Sequence, residues 1–381
     1  MKHISIVVLI LCACVVRVAW GQPLKCKVYT PWGQFHRHNM QRWNPCEKVL
    51  KVNNVGNLGL KWSYATGDRV QSSPAVVNGV VYFGSEDHNV YALKARTGAK
   101  LWSYTTGDVV ESSPAVANGV AYVGSFDGNV YALNAKTGAK LWGFATGSGV
   151  YSSPAIVNGV VYVGSQDGVV YALNAKTGAK LWGFATGGGV FGSSPAVANG
   201  VVYVGSDDAN VYALNASTGA KLWSYTTGGA VYSSPAVANG VAYVGSDDGN
   251  LYALKASTGA QLWSYYFGGV HPQFSSPAVA NGVVYVGSGD NNVYALNART
   301  GVKLWSYDTG NEVGDSPAVA NGVVYVATYN WYVYALNART GVQLWSYFLD
   351  GGAVSSSPAV ANGAVYVGST NFNFYAFGLP H

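Results

Sequence analysis

Residues 113–144 read SPAVANGVAYVGSFDGNVYALNAKTGAKLWGF, and this stretch decides the fold. Its short runs of β-branched and aromatic residues are separated by the dipeptides Asn-Gly, Asp-Gly and Thr-Gly. Such dipeptides between apolar runs are typical of tight hairpin turns. The stretch therefore predicts four short antiparallel strands, called A to D below in chain order.

Eight copies of this unit follow one another along the chain. The tripeptide Ser-Pro-Ala repeats at steps of 40 to 42 residues. Its prolines are Pro74, Pro114, Pro154, Pro195, Pro235, Pro277, Pro317 and Pro358. A period near 40 with four strands per unit is typical of a β-propeller in which each unit is one blade. We therefore predict an all-β fold, an eight-bladed β-propeller of four-stranded antiparallel blades over residues 59–381.

The order of the strands predicts how the ring closes. Every strand D carries one tryptophan of the set Trp62, Trp102, Trp142, Trp182, Trp223, Trp263, Trp305 and Trp345. The first of them precedes the first Ser-Pro-Ala, whereas the last copy ends after strand C. Residues 60–64 are therefore predicted to supply the outer strand of the last blade. This N-terminal strand would remove an exposed sheet edge and hold the two ends of the propeller together.

Residues 1–21 have the pattern of a signal peptide. A short basic start precedes an apolar run over residues 4–16, which is shorter than the roughly 20 residues that a membrane-spanning helix needs. The small residues Ala19 and Gly21 predict cleavage before Gln22. The alternative is a lipoprotein signal that places a lipid on Cys14. Both interpretations predict an exported protein, periplasmic or extracellular.

The extension over residues 22–58 contains two cysteines, Cys26 and Cys46. In an oxidising compartment we predict a disulfide between them, which would stabilise the fold by about 3 kcal/mol. The alternatives are free thiols or a metal site shared with His36 and His38. Metal sites of this kind usually space their cysteines more closely, so we predict no metal.

The composition narrows the class of protein. The 381 residues include 49 Gly and 28 Tyr, with only 10% charged residues and a formal net charge of +5. Such a chain has ample apolar surface to bury, which argues against disorder. The charge is too dilute to favour a nucleic-acid binder. The sequence also lacks the His-Glu-x-x-His, Gly-x-Ser-x-Gly and phosphate-loop motifs of common enzymes.

Comparing the eight copies separates a constant face from a variable face. The A–B and C–D turns hardly differ between copies, whereas the D–A and B–C connections on the opposite face vary. The D–A residues just before strand A are predicted to ring the mouth of the central channel, and residues of both varying connections are predicted to bind a partner. The candidates are Glu111, Tyr151, Tyr232, Phe274, His271, Asp315, Trp331 and Phe372. The alternative is that these side chains only plug the channel mouth.

Charge follows the same division. Sixteen of the 17 acidic residues fall in the D–A and B–C connections, and 12 of the 22 basic residues lie beside the C–D turns. The variable face is therefore predicted to be acidic, although Asp and Lys also suit such turns for solubility alone. We expect a protein or glycan partner at this face, no nucleic acid, no transmembrane segment and a monomeric chain.

Residues 132–142, ALNAKTGAKLW, resemble the tryptophan-docking repeat of the pyrroloquinoline-quinone (PQQ)-type β-propeller family. The resemblance extends over about residues 59–378. It implies that each strand-D tryptophan is a structural residue that packs between adjacent blades, beside the Thr-Gly turn of a neighbouring repeat. Residues 32–45 resemble the lead-in segment of family members, which lies against the propeller.

The family has a catalytic and a non-catalytic branch. Its dehydrogenases hold PQQ and Ca²⁺ over the axis, with an Asp base and, in many, two adjacent cysteines. This sequence has no Cys-Cys pair, and Glu111 and Asp315 belong to blades three steps apart. We therefore predict no cofactor, no catalytic residues and no enzymatic activity. The resemblance instead implies a scaffold like the outer-membrane barrel-assembly lipoprotein, in cell-envelope assembly, with a PQQ-dependent dehydrogenase as the alternative.

Overall fold

The structure of the chain is a computed structural model. It describes residues 32–36, 41–268, 275–353 and 356–380. Within these ranges the regular structure is β-sheet, apart from one 3₁₀ turn at Val55–Asn57. No helix among the described residues is long and apolar enough to cross a membrane. The predicted all-β fold is confirmed, while the predicted signal peptide at residues 1–21 lies outside the described ranges.

Eight antiparallel sheets of four strands form the blades, which confirms the predicted count. Strands A to D are Ala75–Val77, Val80–Gly84, Asn89–Lys94 and Lys100–Thr105 in blade 1; Ala115–Ala117, Val120–Gly124, Asn129–Asn134 and Lys140–Ala145 in blade 2; Ala155–Val157, Val160–Gly164, Val169–Asn174 and Lys180–Ala185 in blade 3; Ala196–Ala198, Val201–Gly205, Asn210–Asn215 and Lys221–Thr226 in blade 4. They are Ala236–Ala238, Val241–Gly245, Asn250–Lys255 and Gln261–Tyr266 in blade 5; Ala278–Ala280, Val283–Gly287, Asn292–Asn297 and Lys303–Asp308 in blade 6; Ala318–Ala320, Val323–Ala327, Tyr332–Asn337 and Gln343–Phe348 in blade 7; Ala359–Ala361, Ala364–Gly368, Asn373–Gly378 and, from the N-terminal side, Gly59–Ala65 in blade 8. The short A strands contact one another around the axis, and strand D is outermost.

The local sequence explains each hairpin. In blade 2 the A–B turn has φ angles of 51° at Asn118 and 79° at Gly119. Both residues lie in the left-handed region that a type I′ turn requires, and Asn and Gly tolerate this region best. Strand Val120–Gly124 in the middle of the blade is almost wholly buried, whereas strand Lys140–Ala145 at the edge alternates between exposed and half-buried residues.

The strand-D tryptophans join neighbouring blades. Nε1 of Trp102 donates a hydrogen bond to the carbonyl oxygen of Ala135 in the next blade, at 3.0 Å. A Cβ atom on Gly138 of the same Thr-Gly turn would lie 2.8 Å from the Trp102 ring, so this close packing requires glycine. All eight tryptophans donate an equivalent bond to the next blade or, for Trp345, to Leu58.

The ring closes through the N-terminal strand, as predicted. Gly59–Ala65 pairs antiparallel with Asn373–Gly378, with Ser63 opposite Tyr375. The ring of Phe374 on this last strand C stacks on Phe83 of blade 1 at 4.1 Å between centroids. The two ends of the propeller are therefore joined by strand pairing and by side-chain packing.

The N-terminal thread, residues 32–36 and 41–47, lies along the inside of the ring. Its short strand Trp43–Asn44 adds in parallel to the innermost strand of blade 7. From blade 1 to blade 8 the hydrogen-bonded pairs are Trp32–Val76, Gly33–Val116, Gln34–Ile156, His36–Ser194, Gln41–Val237, Gln41–Val279, Arg42–Val319 and Asn44–Val360. The thread thus contacts all eight blades in order and ties them together from within.

Of the residues named for the alternative metal site, the structure describes His36 and Cys46. His36 is buried in the thread with 2% of its surface exposed, and burial, with Arg42 nearby, lowers its pKa to about 3. It is therefore neutral at physiological pH. Cys26 and His38 lie outside the described residues, so the Cys26–Cys46 disulfide and its alternatives stay predictions.

Candidate functional site: a cup on the propeller axis

Serines that precede the repeat prolines form a closed ring around the axis. The backbone N–H of each donates to Oγ of its counterpart in the next blade, at 2.8–3.0 Å, through all eight blades. The members are Ser73, Ser113, Ser153, Ser194, Ser234, Ser276, Ser316 and Ser357. Because every serine both donates and accepts, the ring satisfies backbone groups that the narrow axis would otherwise leave buried without partners.

One blade breaks the pattern immediately before this ring. In seven blades the preceding residue is also serine, and Ser112, for example, donates from Oγ to the carbonyl oxygen of Ser152 at 3.1 Å. Blade 7 has Asp315 at this position. Its backbone carbonyl still accepts from Oγ of Ser275 at 3.0 Å, so the blade keeps its place while the side chain changes from a hydroxyl to a carboxyl group.

The serine ring encloses a cavity of about 330 Å³, which we call the axial cup. Phe35 of the N-terminal thread contributes to the lining. Other lining residues come from the variable connections and include Gln71, Glu111, Tyr151, Phe191, Asp315 and Tyr329. The cup therefore combines aromatic walls with two carboxyl groups.

Arg42 of the thread lies against the start of strand A in blades 7 and 8 and is fully buried. It donates hydrogen bonds to the carbonyl oxygens of Pro317, Phe35, Ser316 and Pro358 at 2.8–3.2 Å. Its guanidinium carbon lies 4.5 Å from the centre of the Phe35 ring. Burial lowers the pKa of Arg42 to about 9, partly opposed by Asp315, so the group remains charged at neutral pH.

Asp315 is a buried acid without a dedicated partner. It is 8% exposed, and among the described residues its Oδ2 atom accepts no hydrogen bond. No ion pair within 4.0 Å links it to Arg42 in the described part of the chain. Burial raises the pKa of Asp315 well above its usual value, and the positive charge of Arg42 only partly offsets this. An acceptor of this kind costs free energy unless a ligand or water reaches it.

Glu111 is the second carboxyl group of the cup. Burial raises its pKa from 4.5 to about 7, and the negative charge of Glu86 adds to the shift. Glu86 itself accepts a hydrogen bond from Nε2 of Gln71. Burial and the charge of Glu111 also raise the pKa of Tyr151. Negative charge is therefore disfavoured on this side of the cup.

The shifted pKa of Glu111 predicts a pH-dependent effect on stability. The unfolded chain ionises Glu111 near pH 4.5, whereas the folded chain keeps its proton until about pH 7, so folding is weakened as pH rises through this interval. Replacing it, Glu111→Gln, should raise the free energy of unfolding by roughly 1–3 kcal/mol at pH 8 and by almost nothing at pH 4. Urea denaturation at both pH values measures the difference, and an equal effect at both would contradict the burial of this carboxyl group.

The structure separates the predicted rim residues into groups. Glu111, Tyr151 and Asp315 all line the axial cup. Glu111 and Asp315 thus line one cavity although their blades are three steps apart. Tyr232 does not line the cup but lies 6.0 Å from the ring of Phe191, which does. His271 and Phe274 lie outside the described residues.

Trp331 and Phe372, the candidates from the B–C turns, do not line the axial cup. Trp331 lies 5.8 Å from the ring of Phe348, the last residue of outer strand D in blade 7. The carbonyl oxygen of Phe372 accepts from the backbone N–H of Thr66, which directly follows outer strand Gly59–Ala65. These two side chains therefore belong to the outer part of the face, whereas Tyr329 of the same B–C turn as Trp331 lines the cup.

Sequence reasoning missed Phe191 in the cup. Counting back three residues from the repeat proline selects Gly192, because blade 4 carries one extra residue. Counting forward from the Thr-Gly dipeptide of the C–D turn gives a different alignment. It places buried Val190 opposite Val150 and therefore Phe191 opposite Tyr151. The Tyr151 and Phe191 rings lie 4.1 Å apart. Arg42 lies outside the repeats, so no comparison between copies could mark it.

The aspartates of the B–C turns have structural partners. Oδ2 of Asp127 accepts from the hydroxyl group of Tyr131 at 2.7 Å and from the backbone N–H of Gly107 at 2.6 Å. The same pair of contacts recurs at Asp87, Asp167, Asp208 and Asp248. These carboxylates hold the turn against the preceding D–A connection.

The repeats of the propeller match two family models. The family model described as outer membrane protein assembly factor BamB matches residues 92–190, 166–276 and 267–378, which is more than half of the chain. The chain belongs to the BamB family. A second model, described as the β-propeller domain of glucose, ethanol and alcohol dehydrogenases, matches residues 32–110.

Solved structures from both branches of the family resemble this chain. BamB from Moraxella catarrhalis aligns with a TM-score of 0.74 at 23% identity, over 84% of this chain and 99% of that one. The quinohemoprotein alcohol dehydrogenase from Comamonas testosteroni aligns with a TM-score of 0.81 at 18% identity, over 92% of this chain and 80% of that one. At such identities the likeness concerns the fold that the BamB family shares with the dehydrogenases.

Sequence relatives add a short local match. The quinoprotein ethanol dehydrogenase of Pseudomonas putida is 43% identical over 67 residues, which is 16% of this chain and 11% of that enzyme. The chain thus matches about a tenth of this curated relative. The match shows shared repeats of the BamB-family fold, and it leaves the activity of the whole enzyme as a separate question.

Proposed function

We propose that the protein is an exported, non-enzymatic scaffold that binds a protein or glycan partner through its D–A and B–C face, in the cell envelope. Membership of a family named for an outer membrane protein assembly factor supports this role. The observation that carries the proposal is Trp331. It has a φ of 73° and is 41% exposed, in a turn position that is Gly128 in blade 2 and Gly168 in blade 3.

A tryptophan in the left-handed region of φ costs free energy. Because the side chain is partly exposed, its packing compensates for little of this cost. Phe348 beside it is 45% exposed, and Phe372 of the neighbouring blade is also 45% exposed. Exposed aromatic side chains supply a large share of interface energy. We therefore assign partner binding to the outer aromatic patch, defined as Trp331, Phe348 and Phe372. The distribution of charge along the sequence supports the same face, because most acidic residues fall in its D–A and B–C connections.

The dehydrogenase alternative requires residues that hold PQQ and Ca²⁺ over the axis. Calcium takes six to eight oxygen ligands, usually with several carboxylates. The described residues contain no group of three or more His, Cys, Asp or Glu side chains that could hold a metal ion. Glu111 and Asp315 resist ionisation, since burial raises the pKa of both. These residues therefore do not fit PQQ with Ca²⁺, and no catalytic step follows from them.

Photo-crosslinking tests the proposed role. A photoreactive phenylalanine analogue at position 331 should form adducts with an envelope partner in cells, whereas the same analogue in place of Leu141, 51% exposed on an outer strand, should not. The variant Trp331→Gly should lose the partner while keeping or slightly raising the melting temperature, because it relieves the strained turn.

Equal adducts at both positions, or full partner binding by Trp331→Gly, would contradict the assigned patch. A glycan partner would show instead as binding of the purified protein to immobilised glycans that Trp331→Gly abolishes. Reduction of an acceptor dye by protein supplied with PQQ and Ca²⁺ would favour the dehydrogenase alternative.

A further inference from the structure

The constant face, which carries the A–B and C–D turns, is strongly basic. Twelve of the 22 basic residues lie beside its C–D turns, and 16 of the 17 acidic residues fall in the connections at the opposite end of the blades. The remaining acid, Glu47, is 2% exposed, and its carboxylate accepts from the backbone N–H groups of Val49 and Gly363. Because lysine and arginine are positively charged at neutral pH, this face attracts anions.

Four exposed valines interrupt the basic face in the sector of blades 6 to 8. Val302 and Val342 directly follow the Thr-Gly dipeptides of blades 6 and 7, and each is 61% exposed. Blades 1 to 5 have alanine at this position. Val49 and Val52 of the N-terminal extension are 50% and 38% exposed. We call these four residues the valine patch. A role in solubility explains the lysines and arginines of this face, but it does not explain exposed valine in place of alanine.

The N-terminal extension places its two valines over the A–B turns of the same sector. A Cβ atom on Gly322 of blade 7 would lie 3.4 Å from Val52, and a Cβ atom on Gly363 of blade 8 would lie 2.9 Å from Val49. A cavity of about 720 Å³ lies between the extension and blades 6 and 7, and its lining includes Val52 and Arg339. The extension and the two C–D turns therefore present their valines on one face.

Exposed cations accompany each part of the valine patch. Lys48 and Lys51 directly precede the two valines of the extension, and Arg299 and Arg339 lie three residues before the valines of the C–D turns. All four cations are exposed. Aliphatic side chains among lysine and arginine are typical of surfaces that rest on an anionic membrane, because the apolar groups enter the interface while the charges stay at the headgroups.

The type of side chain favours a lipid surface over an acidic protein. Protein interfaces derive much of their energy from aromatic anchors, and valine is rarely one of them. The exposed rings of Trp331, Phe348 and Phe372 lie at the opposite end of the blades. Valine gains free energy by leaving water for the apolar part of a bilayer, which needs no matching pocket. The two faces are therefore suited to different partners.

We propose that the constant face docks on an anionic phospholipid bilayer through the sector of blades 6 to 8. The valine patch enters the interface, and Lys48, Lys51, Arg299 and Arg339 lie at the phosphate groups. Blades 2 and 3, across the ring, are then farther from the bilayer. The outer aromatic patch faces away from the membrane, toward a partner. This surface goes beyond the proposed scaffold role and does not depend on the outer aromatic patch.

Vesicle flotation of the purified protein tests the docking surface. Vesicles with about 30% phosphatidylglycerol in phosphatidylcholine should bind the protein, whereas vesicles of phosphatidylcholine alone should bind it far less. The double variant Val302→Ala, Val342→Ala restores the alanine of blades 1 to 5 and should lower the partition coefficient about 3- to 10-fold. The double variant Arg299→Gln, Arg339→Gln should lower it about 10- to 30-fold. An unchanged melting temperature verifies that each variant folds.

A matched pair across the ring controls for nonspecific attraction. Lys136 and Lys176 hold the same turn position in blades 2 and 3 as Arg299 and Arg339 hold in blades 6 and 7. In all four turns the backbone N–H of this residue donates to an asparagine Oδ1 at 2.9–3.0 Å. Lys136→Gln, Lys176→Gln should lower the partition coefficient less than about threefold, because these charges lie farther from the bilayer. All variants share the same N-terminal residues, so differences between them report on the constant face alone.

Each outcome decides the proposal. Binding to the anionic vesicles that the valine and arginine variants weaken more than the lysine pair does supports it. Equal losses in the arginine and lysine pairs, equal binding to phosphatidylcholine alone, or no binding at millimolar lipid would overturn it. Unchanged vesicle binding by the valine variant, together with tight binding of heparin, would show a site for soluble polyanions and would overturn it as well. The outer aromatic patch is untouched in these variants, so crosslinking at position 331 remains an independent test of the scaffold role.

Discussion

The variant Arg42→Met should lose about 3–5 kcal/mol of folding free energy, one of the two largest effects that the structure predicts. Arg42 is fully buried and donates to the carbonyl oxygens of Ser316, Pro317, Pro358 and Phe35. Methionine fills a similar volume but donates nothing, so it leaves these acceptors buried without partners. The N-terminal thread would also lose its anchor to blades 7 and 8. Urea denaturation followed by tryptophan fluorescence measures the loss.

Two further variants make the Arg42 prediction specific. Arg42→Lys keeps the charge but cannot reach oxygens on several sides with a planar fork, so it should recover only part of the loss. Arg96→Met removes an exposed arginine beside a C–D turn and should change stability by less than about 0.5 kcal/mol. A loss in Arg42→Met as small as that in Arg96→Met would show that the thread does not hold the blades together.

The sequence alone predicts the propeller because eight copies of the repeat carry the same pattern of strands and turns. Asn-Gly marks every A–B turn and Thr-Gly every C–D turn, and the position of Trp62 before the first Ser-Pro-Ala determines the closing strand. Local turn chemistry and a fixed period suffice here, since each blade repeats the same contacts with its neighbour.

The axial cup was predicted only in part, for a geometric reason. Residues far apart in the repeat order meet on the axis, so Glu111 and Asp315 share a cavity although their blades are three steps apart. One inserted residue, Gly192, hid Phe191 from a count that began at the proline. Arg42 belongs to the thread, whose path through the ring depends on tertiary packing that no repeat encodes.

The variant Trp62→Ala should destabilise the protein more than Trp142→Ala, although the two indoles have matching environments. Each Nε1 donates to an alanine carbonyl oxygen of the next blade at 3.0 Å, and each ring packs on a Thr-Gly glycine. Either truncation should cost about 3–5 kcal/mol through lost packing. Trp62 also stacks on Phe374 at 6.0 Å, across the pairing that closes the ring. Its loss therefore weakens strand Gly59–Ala65, which only noncovalent contacts hold in blade 8.

A covalent tie separates ring closure from ordinary packing at Trp62. Residues 65 and 373 face each other in the closing pair, so the double substitution Ala65→Cys and Asn373→Cys can join the strands by a disulfide. If opening of the ring causes the excess loss, oxidised Trp62→Ala with this tie should be no less stable, relative to its tied parent, than Trp142→Ala is relative to the natural sequence. The closing pair would then be the weakest seam of the propeller, because every other strand D is continuous with its own strand C. Equal losses without the tie would instead mean that the seam is no weaker than the seven remaining blade contacts.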